Sequence, residues 1–183
     1  MHNSIRLSFI LYIILFTLTL GQSKKSNIWD DENFDGLEFR SIGPALMSGR
    51  ISDIAIHPED ENTWYLAVGS GGVWKTVNAG ITWIPIFDDE GSYSIGCVTI
   101  DPNNPNIIWV GTGEDLGGRH FGYGDGIYRS EDGGNTWVNM GLKNSEHISK
   151  IVIHPNDSNI IWVASQGPLW SKGGERGVYK STD

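Results

Sequence analysis

The sequence Ser-Glu-Asp-Gly-Gly-Asn-Thr-Trp at residues 130–137 has a degenerate copy, Thr-Val-Asn-Ala-Gly-Ile-Thr-Trp, at residues 76–83, and a third copy begins at Ser181. An Asp or Asn side chain can hydrogen-bond to its own backbone in a turn, and glycine adopts the left-handed conformation at low cost. Threonine and tryptophan then favour a following strand. The pattern therefore predicts a β-hairpin turn that recurs three times. We expect the following residues to hold these turns: Thr76, Asn78, Gly80, Thr82, Trp83, Ser130, Asp132, Gly134, Thr136, Trp137, Ser181 and Asp183.

Each turn belongs to a longer repeat with the same order of apolar segments. The dipeptides His57-Pro58, Asp101-Pro102 and His154-Pro155 each end an apolar strand, and counting from them aligns three units. A second strand carries an aligned tryptophan and a third strand carries an aligned aromatic residue: Trp64, Trp109 and Trp162, then Trp74, Tyr128 and Tyr179. With the strand after the turn, each unit has four short strands, which is typical of a propeller blade. The sequence therefore predicts an all-β chain, a β-propeller of four-stranded antiparallel blades.

The predicted blades cover about residues 44–87, 94–140 and 147–183. Closed propellers have about four to eight blades. We therefore expect the chain to be a fragment whose remaining blades belong to a missing C-terminal part. A ring completed by another copy of the chain is the alternative.

The first 22 residues are predicted to be a secretory signal peptide. Arg6 gives a short basic start, residues 7–20 are almost wholly apolar, and Gly21-Gln22-Ser23 offers small or polar residues for cleavage. The apolar run is shorter than the roughly 20 residues that span a bilayer; a retained anchor is the alternative. We expect a secreted, periplasmic or cell-surface protein with no membrane span after signal removal, and a flexible lead-in at residues 23–38.

Charge and residue content argue against several function classes. A formal net charge of -9 at pH 7 argues against nucleic acid as a partner, because phosphate binding requires clustered Lys and Arg. Cys97 is the single cysteine, so no intrachain disulfide can form. The alternate oxygen ligands of calcium loops are missing. The position before the proline is histidine in the first and third repeats, His57 and His154, but Asp101 in the middle repeat. This difference favours a turn role over metal binding. We expect no cofactor and no metal.

The repeats differ in length between the second and third strands. This link is the short Gly69-Ser70-Gly71-Gly72 in the first unit, whereas the second unit inserts residues 113–125 and the third inserts residues 166–176. Alternating strand directions put these links on one face, together with the connections between units at residues 88–93 and 141–147. We call it the insertion face. Variable loops on a rigid scaffold usually carry binding and catalysis, so this face is the candidate site.

The insertion face carries the densest set of functional groups in the chain. Glu114 and Asp115 are candidate catalytic carboxylates, but as neighbours they normally point in different directions. Glycoside cleavage would therefore need a partner from another loop, such as Asp88, Asp89 or Glu175. The candidate ligand-binding residues are Arg119, His120, Phe121, Tyr123, Asp125, Trp170 and Arg176. Exposed aromatic rings could stack on a sugar or clasp a peptide. The alternatives are a solvated glycine-rich loop and aromatic packing between neighbouring loops.

Several motifs resemble those of a known family: Ser48-Gly49-Arg50-Ile51, Gly71-Gly72-Val73-Trp74-Lys75-Thr76, Trp109-Val110-Gly111-Thr112-Gly113-Glu114, Gly124-Asp125-Gly126-Ile127-Tyr128 and Arg176-Gly177-Val178-Tyr179-Lys180-Ser181. The recurring turn resembles the Asp-box, or BNR repeat, of sialidases, sortilin-type domains and xyloglucan-cleaving glycoside hydrolases, all of which are β-propellers. The whole is similar to the N-terminal part of exported bacterial proteins with sortilin-like BNR propellers, often labelled glycosyl hydrolases. The resemblance covers nearly everything from Phe39 onward and implies a propeller.

The resemblance carries over little catalytic chemistry. In the xyloglucan-cleaving relatives a catalytic aspartate precedes the paired glycines before the third strand, and Ser70 or Gly69 holds that place here. Sialidases need an arginine cluster and a nucleophilic tyrosine, and residues 39–44 resemble only their opening motif. We expect a non-catalytic module that binds a peptide, protein or glycan on its insertion face. The alternatives are a glycoside hydrolase, xyloglucanase-like or sialidase-like, with catalytic residues partly outside this chain, and a purely structural module of a larger surface protein.

Overall fold

The structure is a computed structural model that describes residues 49–115 and 121–183, and every regular element in these two ranges is a β-strand. The strands are β1 (Ile51–Ile56), β2 (Trp64–Val68), β3 (Gly72–Thr76), β4 (Ile84–Pro85), β5 (Ile95–Ile100), β6 (Ile108–Thr112), β7 (Ile127–Ser130), β8 (Val138–Gly141), β9 (Ile148–His154), β10 (Asp157–Ser165) and β11 (Gly177–Ser181). Neither range contains a helix that could cross a membrane. The predicted signal peptide and lead-in lie outside them.

Three antiparallel sheets contain the eleven strands, in the orders β1-β2-β3-β4, β5-β6-β7-β8 and β9-β10-β11. The aligned aromatic residues of the third strands occupy the same register in every sheet. Trp74 pairs with Leu66, Tyr128 with Val110 and Tyr179 with Val163, and each partner lies at the same distance from the proline of its unit. The predicted all-β class and the antiparallel four-stranded blades are confirmed, and the third sheet shows three strands in the described residues.

Successive sheets pack face to face through two apolar layers. The first layer joins the first and second sheets and includes Tyr65, Val73, Phe87, Ile95 and Val110, all buried. The second layer joins the second and third sheets: Cys97, Trp109, Ile127, Ile148, Ile151, Ile153, Ile161 and Val163. The middle sheet therefore buries both faces, which explains why β5 and β6 are apolar with little alternation.

The first strands of the sheets, β1, β5 and β9, are cross-linked by side chains. Ser52 donates to the Ile95 carbonyl at 2.8 Å, and Thr99 donates to the Ile151 carbonyl at 3.0 Å. Lys150 reaches back across β5 to Asp53, with 3.1 Å between Nζ and Oδ2. These links hold the innermost strands of consecutive blades in one register.

Two of the recurring turns have matching hydrogen bonds. In residues 130–137 the Asp132 Oδ1 accepts from the Ser130 hydroxyl at 2.8 Å and from the Thr136 amide at 2.9 Å. In residues 76–83 the Asn78 Oδ1 accepts from Thr76 and Thr82 in the same way, at 2.9 Å each. Ser181 also donates to Asp183 Oδ1 at 2.8 Å, which repeats the first of these bonds.

The turn at residues 130–137 also docks on the preceding sheet. The Gly133 carbonyl accepts from the Tyr65 hydroxyl at 3.1 Å and from Lys75 Nζ at 2.8 Å. Trp137 donates its indole N–H to the Ile86 carbonyl at 2.7 Å and packs edge-on against Phe87. The turn is thus an inter-blade contact as well as a hairpin.

The residues before the three prolines cap their own turns. His57 Nδ1 accepts from the Glu59 amide and His154 Nδ1 from the Asn156 amide, at 3.2 Å each. Asp101 Oδ1 accepts from the Asn103 amide at 2.8 Å. Histidine and aspartate therefore both accept a hydrogen bond from the backbone amide two residues later, which explains why either residue can hold this position of the repeat.

We predict that Asp132→Ala lowers the melting temperature, whereas Asp132→Asn leaves it nearly unchanged at pH 7 because Asn78 makes the equivalent bonds. Hydrogen bonds from Thr136 and Ser130 lower the pKa of Asp132 from 3.8 to about 2. The ionised carboxylate therefore stabilises the fold above pH 3.8, and this contribution is lost as the pH falls towards about 2.

Thermal unfolding followed by circular dichroism between pH 7 and pH 2 checks this prediction. The wild type should lose more stability than Asp132→Asn over the acid range. Identical acid profiles for the two proteins would show that the turn does not depend on this carboxylate.

Candidate functional site

The loops of the insertion face are joined to one another by backbone hydrogen bonds. The Gly72 amide donates to the Tyr93 carbonyl at 2.8 Å, and the Gly124 amide donates to the Glu146 carbonyl at 2.7 Å. The Gln166 amide donates to the His147 carbonyl at 2.8 Å. The links of the first and second units are therefore bound to the connections that lead into the next sheet, and the third insertion is bound to the connection that leads into its own sheet.

Ser94, immediately before β5, ties three segments of this face together. Its fully buried hydroxyl donates to the Gly69 carbonyl at 2.8 Å and lies 3.0 Å from the Gly122 carbonyl. The same oxygen accepts from the Glu114 amide at 3.1 Å. Gly122 packs so closely on Ser94 that any side chain there would collide with it. This buried hydroxyl fixes the first and second units against the start of the second insertion.

Both the carboxylate and the backbone amide of Asp125 form hydrogen bonds with neighbouring residues. Its Oδ2 accepts from the Tyr128 hydroxyl at 2.6 Å, and its backbone amide donates to the Thr112 hydroxyl at 2.9 Å. Burial, followed by the hydrogen bond to Asp125, raises the pKa of Tyr128. Glu90 lies in the neighbouring connection, and its pKa is raised by burial and by the charges of Asp125 and Asp89. The side chain of Asp125 holds the end of the second insertion in place.

Glu114 is buried, with a side-chain exposure of 1%. Its Oε1 accepts from Arg50 Nε at 2.5 Å and also contacts Arg50 Nη2. The carboxylate lies against Gly69 of the first unit, where a Cβ atom would be 2.7 Å from Oε1. Glu114 therefore reaches from the second blade to the first and is shielded from solvent in this conformation.

Asp115 differs from Glu114 because its side chain is only partly buried and makes no ion pair within the described residues. Burial raises its pKa, and the negative charges of Asp53 and Glu114 add to the effect. Its backbone carbonyl accepts from Gln166 Nε2 at 3.2 Å, which ties it to the third insertion. A carboxyl group with a raised pKa is better suited to donate a proton than an ordinary aspartate.

His147 is the buried member of a cluster of three rings that also contains Phe121 and Tyr123. Its ring is fully buried, 6.1 Å from the ring of Phe121 and 5.6 Å from the ring of Tyr123. Burial lowers its pKa, so the neutral imidazole is favoured at pH 7. Phe121 is half-buried, whereas Tyr123 is 60% exposed. The cluster therefore presents one aromatic ring to solvent on a packed support.

The third insertion presents Trp170, which is 74% exposed. The guanidinium of Arg176 donates to the Pro168 carbonyl and contacts the Ser171 carbonyl in the same loop. Leu169 and Arg176 line a cavity of about 420 Å³ beside this loop. Arg176 is thus a support for the loop that carries Trp170.

Arg119 and His120 lie outside the described residues. Of the possible carboxylate partners, Glu175 accepts from the Asn144 amide at 2.7 Å, and Asp88 and Asp89 are exposed. The described residues contain no group of three or more His, Cys, Asp or Glu side chains that could hold a metal ion. Burial raises the pKa of Cys97 to about 12, which keeps the thiol protonated.

Sequence reasoning did not identify Arg50, Ser94 or His147 as parts of the site. Each of these residues directly precedes the first strand of a sheet: Arg50 precedes β1, Ser94 precedes β5 and His147 precedes β9. The shared signal is a polar residue at the entry to the innermost strand. Such a residue reaches the ends of the second strands, where the insertions begin.

No protein-family model matches the chain. It is 31% identical over 126 residues to a xyloglucanase of Acetivibrio thermocellus, covering 54% of this chain and 14% of that protein. It is 23% identical over 155 residues to a probable oligoxyloglucan-reducing end-specific xyloglucanase of Neosartorya fischeri, covering 76% of this chain and 18% of that protein. The chain spans less than a fifth of the length of these curated relatives.

Solved structures agree with these matches. The Niastella koreensis GH74 enzyme superposes with a TM-score of 0.52 at 26% identity, covering 69% of this chain and 19% of that one. An ancestral GH74 enzyme superposes with a TM-score of 0.56 at 19% identity, covering 76% of this chain and 18% of that one. The fold is a β-propeller. Its three sheets are consecutive blades, and its likeness is to glycoside hydrolase propellers.

We predict that Ser94→Ala lowers the free energy of unfolding by about 1–3 kcal/mol, because it removes the buried hydroxyl that bonds to backbone groups of three segments. Ser149→Ala is the matched control, since the half-buried Ser149 hydroxyl makes a single bond to the Ala164 carbonyl at 3.2 Å. Urea unfolding gives the stability, and hydrogen exchange of the Glu114 amide reports on the loop. Equal effects of the two substitutions would contradict the role assigned to Ser94.

Proposed function

We propose that this chain is part of an exported, BNR-type β-propeller that binds a carbohydrate on its insertion face. The observation that carries the proposal is the pair of aromatic side chains on two adjacent insertions, Tyr123 and Trp170, which are 60% and 74% exposed. Exposed aromatic rings on ordered loops offer a large flat surface on which a sugar ring can stack. The likeness to xyloglucanases favours a glycan over a peptide or a protein.

The support beneath these rings suits a binding surface. Tyr123 packs on His147, and the loop of Trp170 is closed by Arg176. Rings that are already positioned lose less conformational entropy when a ligand binds. The partly buried Asp115 lies at the start of the second insertion and offers a polar group for sugar hydroxyls.

The recurring turns and the predicted signal peptide support the finer parts of the proposal. The turn pattern of residues 130–137 favours a BNR, sortilin-like propeller over other propeller types. An apolar segment with a basic start favours export to the cell surface, the periplasm or the medium. Because the chain has a single cysteine, no intrachain disulfide can form, and the exported protein would depend on its apolar core for stability.

Glycoside hydrolysis is the second candidate function, and the raised pKa of Asp115 favours it. An acid catalyst must be protonated near the working pH, and burial moves Asp115 in that direction. Cleavage also needs a second carboxylate at about 5 to 9.5 Å from the first. Glu114 is paired with Arg50, so that partner would come from another loop or from a part of the protein beyond this chain.

We predict that the protein binds xyloglucan oligosaccharides and that Tyr123→Ala and Trp170→Ala each weaken binding about tenfold, which corresponds to about 1.4 kcal/mol. Ile81→Ala is the control, because Ile81 is 81% exposed in the recurring turn on the opposite face. Isothermal titration calorimetry provides the measurement. Retained affinity in both aromatic variants would contradict the proposed face.

A release assay separates binding from hydrolysis. Incubation with xyloglucan, followed by measurement of new reducing ends, should give no product if the chain only binds. Product that disappears in Asp115→Asn would instead establish the second candidate and identify Asp115 as its acid.

A further inference from the structure

Glu114 is an enclosed charge with an incomplete set of partners. Its side chain is 1% exposed, and burying an ionised carboxylate is costly unless both oxygens are paired. Arg50 binds Oε1, but Oε2 is buried and has no hydrogen-bond partner within the part of the chain that the structure describes. One acceptor oxygen of this carboxylate is therefore held ready for a donor.

Space for the carboxylate exists because residue 69 is glycine. A Cβ atom at Gly69 would lie 2.7 Å from Oε1 and 2.9 Å from Cδ of Glu114. The backbone does not require glycine here, since Gly69 is absent from the glycines with a positive φ. The absence of a side chain at Gly69 therefore leaves space for the Glu114 carboxylate between two blades.

The backbone of Glu114 is fixed on the same side as the aromatic cluster. Its amide donates to the Ser94 hydroxyl at 3.1 Å and to the Gly122 carbonyl at 3.2 Å. Gly122 directly precedes Tyr123, the exposed ring of the second insertion. The carboxylate is thus positioned beside the loop that we propose to contact sugar.

Arg50 and Glu114 differ sharply in exposure. The Arg50 side chain is 56% exposed, whereas its partner is enclosed. Loss of the pair would leave the enclosed carboxylate without its cation, which is costly unless other hydrogen-bond donors replace the guanidinium. Arg50 is therefore the partner on the solvent side of the pair, and a ligand that displaces it must supply donors to the carboxylate.

We propose that Glu114 is a ligand-binding carboxylate that Arg50 covers in the free protein, and that it accepts a hydrogen bond from a sugar hydroxyl once Arg50 has turned into solvent. The proposal rests on the carbohydrate-binding function stated above. Hydroxyl donors of a sugar match the acceptor character of a carboxylate, and a charged acceptor forms the stronger bond. Arg50 then serves as a reversible cover that keeps the carboxylate paired while no ligand is bound.

The test measures binding of xyloglucan oligosaccharides to the full chain by calorimetry. Glu114→Gln keeps the shape and removes the charge, so its affinity should fall at least tenfold. Glu131→Gln is the matched control, because Glu131 also pairs with an arginine, Arg129, at 2.6 Å but lies in the recurring turn on the opposite face. Its affinity should equal that of the wild type.

Arg50→Ala provides the second variant, which distinguishes a cover from a structural ion pair. Removal of the cover should raise the affinity at least threefold, and the gain should vanish in the double variant with Glu114→Gln. Weaker binding in Arg50→Ala, together with a lower melting temperature, would show a structural pair and overturn the proposal.

Two further outcomes separate this proposal from the proposed function. If the wild type binds the oligosaccharides and Glu114→Gln binds them equally well, the carboxylate proposal is wrong and carbohydrate binding stands. If the folded wild type binds none of them, the carbohydrate function is wrong and the role of Glu114 is overturned with it.

Discussion

Face-to-face packing of one sheet on the next is the interaction on which the other features of this structure depend. The middle sheet is buried on both faces, between Tyr65 and Phe87 on one side and Ile151 and Val163 on the other. Residues of the middle strands therefore have almost no freedom to become polar. The repeats therefore differ at the ends of the strands, where the long links between the second and third strands lie. The apolar layers thus determine where a functional site can form.

At the strand ends, buried hydroxyl groups take over the role of apolar packing. The second insertion has no regular secondary structure in the described residues, so its backbone groups need partners from elsewhere. Ser94 and Thr112 supply them, each through one oxygen that contacts several backbone groups. A loop held in this way can be irregular and still ordered. This combination suits a surface that must present Tyr123 in a fixed position.

Most of the fold was predictable from sequence because the repeat itself is local. Counting from Pro58, Pro102 and Pro155 located every first, second and third strand, and the turn at residues 130–137 located the hairpins. The turn at residues 130–137 also docks on the preceding sheet, which is a long-range property. Nothing in residues 130–137 alone indicates that the Gly133 carbonyl accepts from Tyr65 and Lys75.

The candidate site was predictable as a face and much less so as a set of roles. Glu114 was predicted as a candidate catalytic carboxylate, but its environment is made by Gly69 and Arg50, which lie 45 and 64 positions earlier in the chain. Arg176 was predicted as a candidate ligand-binding residue, and its guanidinium donates to the Pro168 carbonyl of its own loop. These roles depend on contacts between blades, and no local pattern of residue types encodes them.

The close approach of Gly69 to Glu114 also constrains how this protein can evolve. A side chain at position 69 and a glutamate at position 114 would compete for the same volume, because even a Cβ atom would lie within 3 Å of the carboxylate. The two positions should therefore covary among homologous sequences. Lineages with a larger residue at 69 should carry a smaller or differently directed residue at 114.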